Sequence, residues 1–403
     1  MSKLTKSLLL GVSLVLVSFT IAGGLGVKAS NNDGAYRQLG VYSEVLAKIR
    51  TDYVEDPNIP HVTDGALHGL LESLDANSSY LNAQEYKQFQ TLKESKASVG
   101  AAISKRFGYA AVISVVPGGP AAKAGMEDGD IIEAIEGRTT REMSLAEIRG
   151  VLSGDPGSVV NLSVVRPRKA EPQKLAITRE IVKEPAATAR MLENQIGYIR
   201  CDGFPKGRSQ EIASKIKELQ KQGAKKLILD LRGSGGGEES EGIATANLFL
   251  NHGTITYLQG QTYTKETFNA DPSKAVTTLP VVAVVNRSTA GPAEIVASSI
   301  LENARGDVLG DKTFGAGSIQ KVIPMSDGSA IVLSIAKYYS PGGKAIQDNA
   351  VTPNILVADA NDDFTADGPE ADDSQPEVNK KDQPDEQLRR AIEVLKNRDQ
   401  KAA

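Results

Sequence analysis

Hydrophobic residues recur along this chain with a period that changes from one stretch to the next, and the changes divide it. Residues 8–27, LLLGVSLVLVSFTIAGGLGV, are apolar apart from small and hydroxyl side chains and follow Lys3 and Lys6. From 34 to 92 apolar residues are spaced at three and four, as in LGVYSEVLAKIRTDYV and HVTDGALHGLLESL, which predicts helices separated by a turn around Pro57 and Pro60. In LDANSSYLNAQEYKQF, Asp75, Asn77 and Ser78 turn or cap the chain before a short helix starting near Asn82. From 95 to 182 the pattern becomes short strands, AAVISVV and VVNLSVVR, with glycine-rich turns and one helix, SLAEIRGVL. From 183 to 358 continuous apolar strands (IGYIRC, LILDL, LPVVAVVN) alternate with amphipathic helices (SQEIASKIKELQKQG, EGIATANLFL, PAEIVASSILENA), predicting a layered α/β core. Residues 359–385 are acidic, rich in Pro, Ser and Asn and without apolar periodicity, which predicts a disordered linker. Helical spacing returns over 386–399, with Leu388, Ile392 and Leu395 on one face.

The first 29 residues have the order of an export signal: positive charge, then an apolar run, then Val27, Lys28 and Ala29 ahead of Ser30 as a small-residue cleavage site. The run is also close to the roughly 20 residues that span a bilayer. The segment therefore reads as a cleaved signal peptide or as a retained anchor in contact with the membrane. Either places the rest of the chain in the periplasm or on the outer face of the cytoplasmic membrane.

With 403 residues the chain is long enough for several cores. Its 46 basic and 50 acidic side chains leave a net charge of -4, which gives no bulk attraction to nucleic acid. One cysteine, Cys201, excludes an internal disulfide framework. His61, His68 and His252 are scattered and offer no zinc cluster, so neither metal nor cofactor is expected. LILDLRGSGGG ends a strand in glycines, yet matches neither a Walker loop nor a dinucleotide fingerprint.

VVPGGPAAKAGMEDGDIIEAIEGR sets Pro120 in the first turn of a short helix, Gly125 at its end, and Gly129 with Asp130 turning into IIEAI. This stretch resembles a PDZ domain, in which a peptide tail adds as a strand beside a helix and backbone N–H groups hold its terminal carboxylate. The resemblance places the carboxylate loop at Val99, Gly100, Ala101 and Ala102, with Ile103 entering the groove strand. The small apolar side chains there imply tails with apolar ends. A groove that contacts only the neighbouring domain of the same chain is the competing reading.

LDANSSYL, IGYIRCDGF, LILDLRGSGGG, LPVVAVVNRSTAGPAEIVASSI, GDKTFGAGSIQ, VTPNI and DEQLRRAIEVL follow one another in the order found in the carboxyl-terminal processing serine peptidases. The chain resembles that family over essentially all of its mature length. The resemblance implies a multidomain α/β protein: a helical N-terminal arm, a PDZ-like β-rich domain and a crotonase-like layered α/β peptidase domain. It also implies a serine nucleophile, a lysine general base and an assisting glutamine. The serine position falls on Gly291 in STAGPAEI, and the lysine position on Ala316 in TFGAG. Of the three, Gln320 is retained.

The family's oxyanion hole takes one N–H from the glycine-rich turn, here Gly236, and one from the residue after the nucleophile, here Pro292, which has none. Losing one such donor from a serine protease lowers the rate about 100- to 1000-fold. Ser288, Thr289, Ser298, Ser299 and Lys312 are the nearest substitutes, each displaced by two or more positions where attack needs placement near 3 Å. Two readings follow from the resemblance. One is an inactive scaffold or regulator that holds C-terminal tails of envelope proteins, self-associating or assembling with an active relative. The other is a serine endopeptidase with a non-standard constellation.

Overall fold

The computed structural model describes residues 33–93, 97–166, 171–358 and 385–402. The N-terminal apolar segment and nearly all of the acidic stretch read as a linker lie outside them. The chain forms two compact units dividing between Ala66 and Leu67. The first contains helix α1 (Asp33–Asp52) and the start of α2 (Ile59–Glu72). Pro60 sits in the first turn of α2, where its missing N–H would have no partner anyway, and the Asn58 side chain accepts from the His61 N–H at 3.2 Å. No helix among the described residues is long and apolar enough to cross a membrane.

The second unit begins within α2 and continues into a strand, β1 (Ser79–Leu81), and then helix α3 (Ala83–Lys93). Asn82 caps α3 reciprocally: its side chain accepts from the Glu85 N–H at 3.0 Å, and the Glu85 carboxylate accepts from the Asn82 N–H at 2.9 Å. The helical reading of 34–92 therefore needs one correction. SYL is extended and fully buried, because it pairs with a strand some 250 positions later, a contact that local spacing does not carry.

The β-rich middle region starts with β2 (Ala97–Ser98), β3 (Ala101–Arg106) and β4 (Tyr109–Val115). The one-turn helix α4 (Pro120–Lys123), β5 (Ile131–Ile135), β6 (Arg138–Thr139), α5 (Leu145–Leu152), β7 (Ser153–Gly154), β8 (Val159–Val165) and β9 (Gln173–Thr178) complete it. Strands β3-β4-β5-β8-β9 form an antiparallel sheet with β6 on β5, while β2 pairs with β7. Ile103, Val112, Ile132, Ile148 and Leu162 meet in its core.

The last region is built on a second sheet of β10 (Thr188–Leu192), β11 (Ile196–Arg200), β12 (Lys226–Asp230), β15 (Val281–Val285), β16 (Gly306–Gly310) and β19 (Ile355–Leu356), in that order. From β11 onward all its pairings are parallel. Side chains alternate between two buried faces, as a covered parallel sheet requires. Leu227, Leu229, Val281 and Ala283 meet helices α6 (Arg208–Lys221), α7 (Glu239–Phe249) and α8 (Pro292–Glu302) on one face. Ile228, Val282 and Val284 meet Ala391 and Leu395 of α9 (Glu386–Ala402) on the other. Of the face expected on α9, Leu395 is fully buried, whereas Leu388 and Ile392 are partly so. A third sheet, β13 (Thr254–Gln259), β14 (Glu266–Asn269), β17 (Ser318–Pro324) and β18 (Ala330–Tyr339) with β1, sends Ile255, Leu258, Ala336 and Tyr338 into the same core as α6, α7 and α8.

Candidate functional site

Strand β15 delivers the chain to Gly291, the residue before α8. Its backbone, at φ +60° and ψ -120°, is one that residues with side chains rarely adopt. A Cβ placed there would meet only the Ala316 carbonyl oxygen, at 3.9 Å. The fold thus brings Gly291 and Ala316 face to face, although they are 25 positions apart (316 minus 291), and leaves room between them. Pro292 is the first residue of α8, where its fixed φ suits the helix start and its nitrogen carries no hydrogen.

Glu294 holds Gly291 and Ala316 in register. This fully buried carboxyl accepts from the N–H groups of Gly291 (2.9 Å) and Ala316 (2.8 Å) on one oxygen, and from the Gly315 N–H (2.8 Å) and Thr313 hydroxyl on the other. In the sequence a Glu three places past a helix cap reads as an exposed first-turn residue, so its burial escapes pattern reasoning. Burial pushes its pKa from 4.5 to about 7 against those four donors. A folded value above the unfolded one means stability present at low pH and lost as pH rises from 4.5 to about 7. The unfolding free energy of the protein relative to Glu294→Gln is expected to fall across that window by on the order of 3 kcal/mol. Denaturant titrations at several pH values check it, and a flat difference would mean that Glu294 stays charged throughout.

The glycine turn after β12 stands opposite. Among the described residues the Gly236 N–H has no protein acceptor, while the Gly236 carbonyl takes the Phe204 N–H at 2.9 Å. Below it, Asp230 is wholly buried and bonded to Tyr198 (2.7 Å), Arg200 (3.3 Å) and Arg232 (2.6 and 2.9 Å). Burial alone would raise this carboxyl, but Arg232 and Arg200 hold it below the usual carboxylate range. Arg232 also pairs with Asp385 (2.8 Å), which fastens the start of α9 to the base of the turn.

The PDZ-like region lies directly on this turn. A Cβ on Gly235 would fall 2.1 Å from Ser114 Oγ of β4, so only glycine allows the approach. Asp128 accepts from the Val115 N–H at 2.9 Å and from the Ser288 hydroxyl of the Gly291 loop, and burial raises its pKa despite both. Gly100, Ala101 and Ala102 face Gly233 and Gly236 across a cavity of about 300 Å³. Of the loop expected to hold a carboxylate, the Val99 N–H instead donates to the Leu152 carbonyl (3.2 Å) and the Gly100 N–H to Ser98 Oγ (3.2 Å). The Ile103 side chain is buried in the domain core, and its carbonyl accepts from Arg149 of α5 at 3.1 Å.

Gln320 lies on β17 and donates to Ser318 Oγ (2.8 Å) and Ser334 Oγ (3.3 Å). The same serines engage LDANSSYL: Asn77 donates to Ser318 Oγ (3.2 Å), Ser334 donates to Asp75 (3.1 Å), and the Ser334 N–H donates to Ser78 Oγ (3.1 Å). The motif read as a turn thus buttresses Gln320. Of the substitute hydroxyls, Thr289 donates to the Leu231 carbonyl, Ser298 to Ile295 and Ser299 to Val296, while Lys312 is exposed. Among the described residues no group of three or more His, Cys, Asp or Glu is placed to hold a metal ion.

Residues 195–357 match the model of peptidase family S41 and residues 112–166 that of the PDZ domain. The chain is 30% identical over 354 residues to a carboxy-terminal-processing protease of Bartonella bacilliformis, covering 86% of this chain and 80% of that one. It is 31% identical over 335 residues to the carboxy-terminal processing protease CtpA of Bacillus subtilis, covering 82% and 71%. The structure of a photosystem II D1 C-terminal processing protease matches with a TM-score of 0.65 at 25% identity, over 79% of this chain and 92% of that one.

Proposed function

This chain belongs to the carboxyl-terminal-processing proteases of peptidase family S41, which carry a PDZ domain, and from that premise we propose that it is an exported member that holds protein tails without cutting them. The observation that carries the reading is the juxtaposition of Gly291 and Ala316. Where the family places a hydroxyl and an amine, this fold sets two residues that have neither, with room for a Cβ at Gly291. Pro292 removes an oxyanion donor at the same spot. The Thr289, Ser298 and Ser299 hydroxyls are bonded to backbone carbonyls and that of Ser288 to Asp128, and among the described residues no amine is bonded to them, which weighs against a non-standard peptidase. The layered sheets and helices support a crotonase-like peptidase domain, and the basic-then-apolar N-terminus supports export. Self-association or assembly with an active relative extends the same reading.

Peptides with apolar last residues and a free carboxylate are expected to bind at least about 10-fold more tightly than their amidated forms, the size of a lost charge-assisted hydrogen bond. Fluorescence polarisation on the full chain measures this, and mass spectrometry of the same mixtures is expected to show no cleavage products. Equal binding of the amidated peptides would remove the tail reading.

A further inference from the structure

The cavity between the Gly100 loop and the glycine turn is lined by groups of opposite chemistry. The Gly236 N–H is a free donor among the described residues. Two carboxyls, Glu184 and Asp202, line the same cavity. Glu184 has one oxygen turned against Gly203 and buried with no hydrogen-bond partner. Asp202 accepts from Arg200 Nε at 2.7 Å, and Arg200 is shared with buried Asp230. A third carboxyl, Asp128, comes close to Gly233 at the edge of the cavity, beside the Arg200 guanidinium. The other guanidinium of this cluster, Arg232, is taken up by Asp230 and Asp385. Arg208, behind Glu184, bonds Glu211 and the Pro185 carbonyl instead.

Among the described residues Glu184 therefore has no ion-pair partner, while Asp202 shares Arg200 with Asp230. Burial raises Glu184, with Asp202 adding to the rise and Arg208 opposing it, and Asp128 is raised as well. Buried carboxylates without a counter-charge are costly, and a cation brought between them removes the cost. Among the described residues no group of three or more His, Cys, Asp or Glu is placed to hold a metal ion, whereas an ammonium or guanidinium carries its own three to five donors. The volume suits a side chain or a short peptide end.

We propose that this cavity is a specificity site for a positively charged group on the held peptide, an ammonium or guanidinium seated between Glu184 and Asp202. The inference rests on the tail-holding reading and adds to it: tails with an apolar last residue are preferred when they also carry a basic group within reach of the cavity.

The test is a panel of tails with a free carboxylate in which Lys is replaced by norleucine at each of the last several positions in turn, each with a free or acetylated N-terminus. On the full chain, norleucine at one position, or acetylation, is expected to weaken binding about 10-fold. In Glu184→Gln, which keeps the shape and removes the charge, that difference is expected to vanish while carboxylate dependence persists. A side-chain source and an N-terminal source are told apart by which arm responds. Lys and norleucine peptides, free and acetylated, that bind equally at every position with carboxylate dependence intact would overturn this inference and leave the tail reading standing. A preference for cations that survives Glu184→Gln together with Asp202→Asn would also overturn it. Binding of no peptide at all would overturn both.

Discussion

Turnover of a tailed substrate stays at background for the protein as it stands and for Gly291→Ser alone, then appears stepwise as the other two positions are changed. A hydroxyl restored at 291 has room, since a Cβ there approaches only the Ala316 carbonyl at 3.9 Å. It remains a weak nucleophile at neutral pH because no amine takes its proton. The left-handed backbone at Gly291, φ +60°, adds strain of roughly 1–3 kcal/mol once a side chain is present. Adding Ala316→Lys brings the base to the facing position, whose N–H is already fixed on Glu294. Pro292→Ala then returns an N–H beside the nucleophile, for a further gain of roughly 100-fold. The rate of cleavage of one substrate is measured for all four proteins. Activity of the unchanged chain comparable to the triple variant would refute the non-cutting reading. A triple variant that binds tails and remains inert would show that the surrounding pocket has drifted as well.

The largest expected loss of stability comes from Arg232→Met. The Arg232 side chain grips Asp230 through two bonds, of 2.6 and 2.9 Å, and removing it leaves a wholly buried carboxylate with Arg200, Tyr198 and the backbone N–H of residue 232. Breaking a buried pair from one side costs about 3–5 kcal/mol, because the stranded charge keeps its desolvation penalty. The second pairing of Arg232, to Asp385, is partly solvated, so Asp385→Asn is expected to cost about 1 kcal/mol or less. Urea unfolding of the two variants compares these directly. Equal small losses would mean that packing against the sheet, rather than this ion cluster, holds the glycine turn and α9 in place.

These predictions depend unequally on sequence and structure. The continuous apolar runs at 227–229 in β12 and 281–285 in β15 announce strands buried on both faces, because successive side chains point to opposite sides and all of them are apolar. Pro60 and Asn82 show how local chemistry sets a boundary to within a residue or two. SYL, the burial of Glu294 and the capture of Ser334 by Asp75 were illegible for one shared reason: their partners lie elsewhere in the chain.

The amino-acid sequence by itself determined that no hydroxyl stands at Gly291, no amine at Ala316 and no N–H at Pro292. Those are covalent facts, and no fold restores a missing atom. It also determined which stretches bury one face and which bury two, since periodicity reports how many sides of an element are apolar. It could not determine what each face is buried against. Tertiary structure alone decided that Gly291 and Ala316 oppose one another, that one buried carboxylate ties their amides together, and that the PDZ domain sits on the glycine turn with acidic side chains in the cavity between. The reason is physical: hydrogen bonds and charges act over a few ångströms of space, and only chain folding makes residues separated by tens or hundreds of positions neighbours at that range.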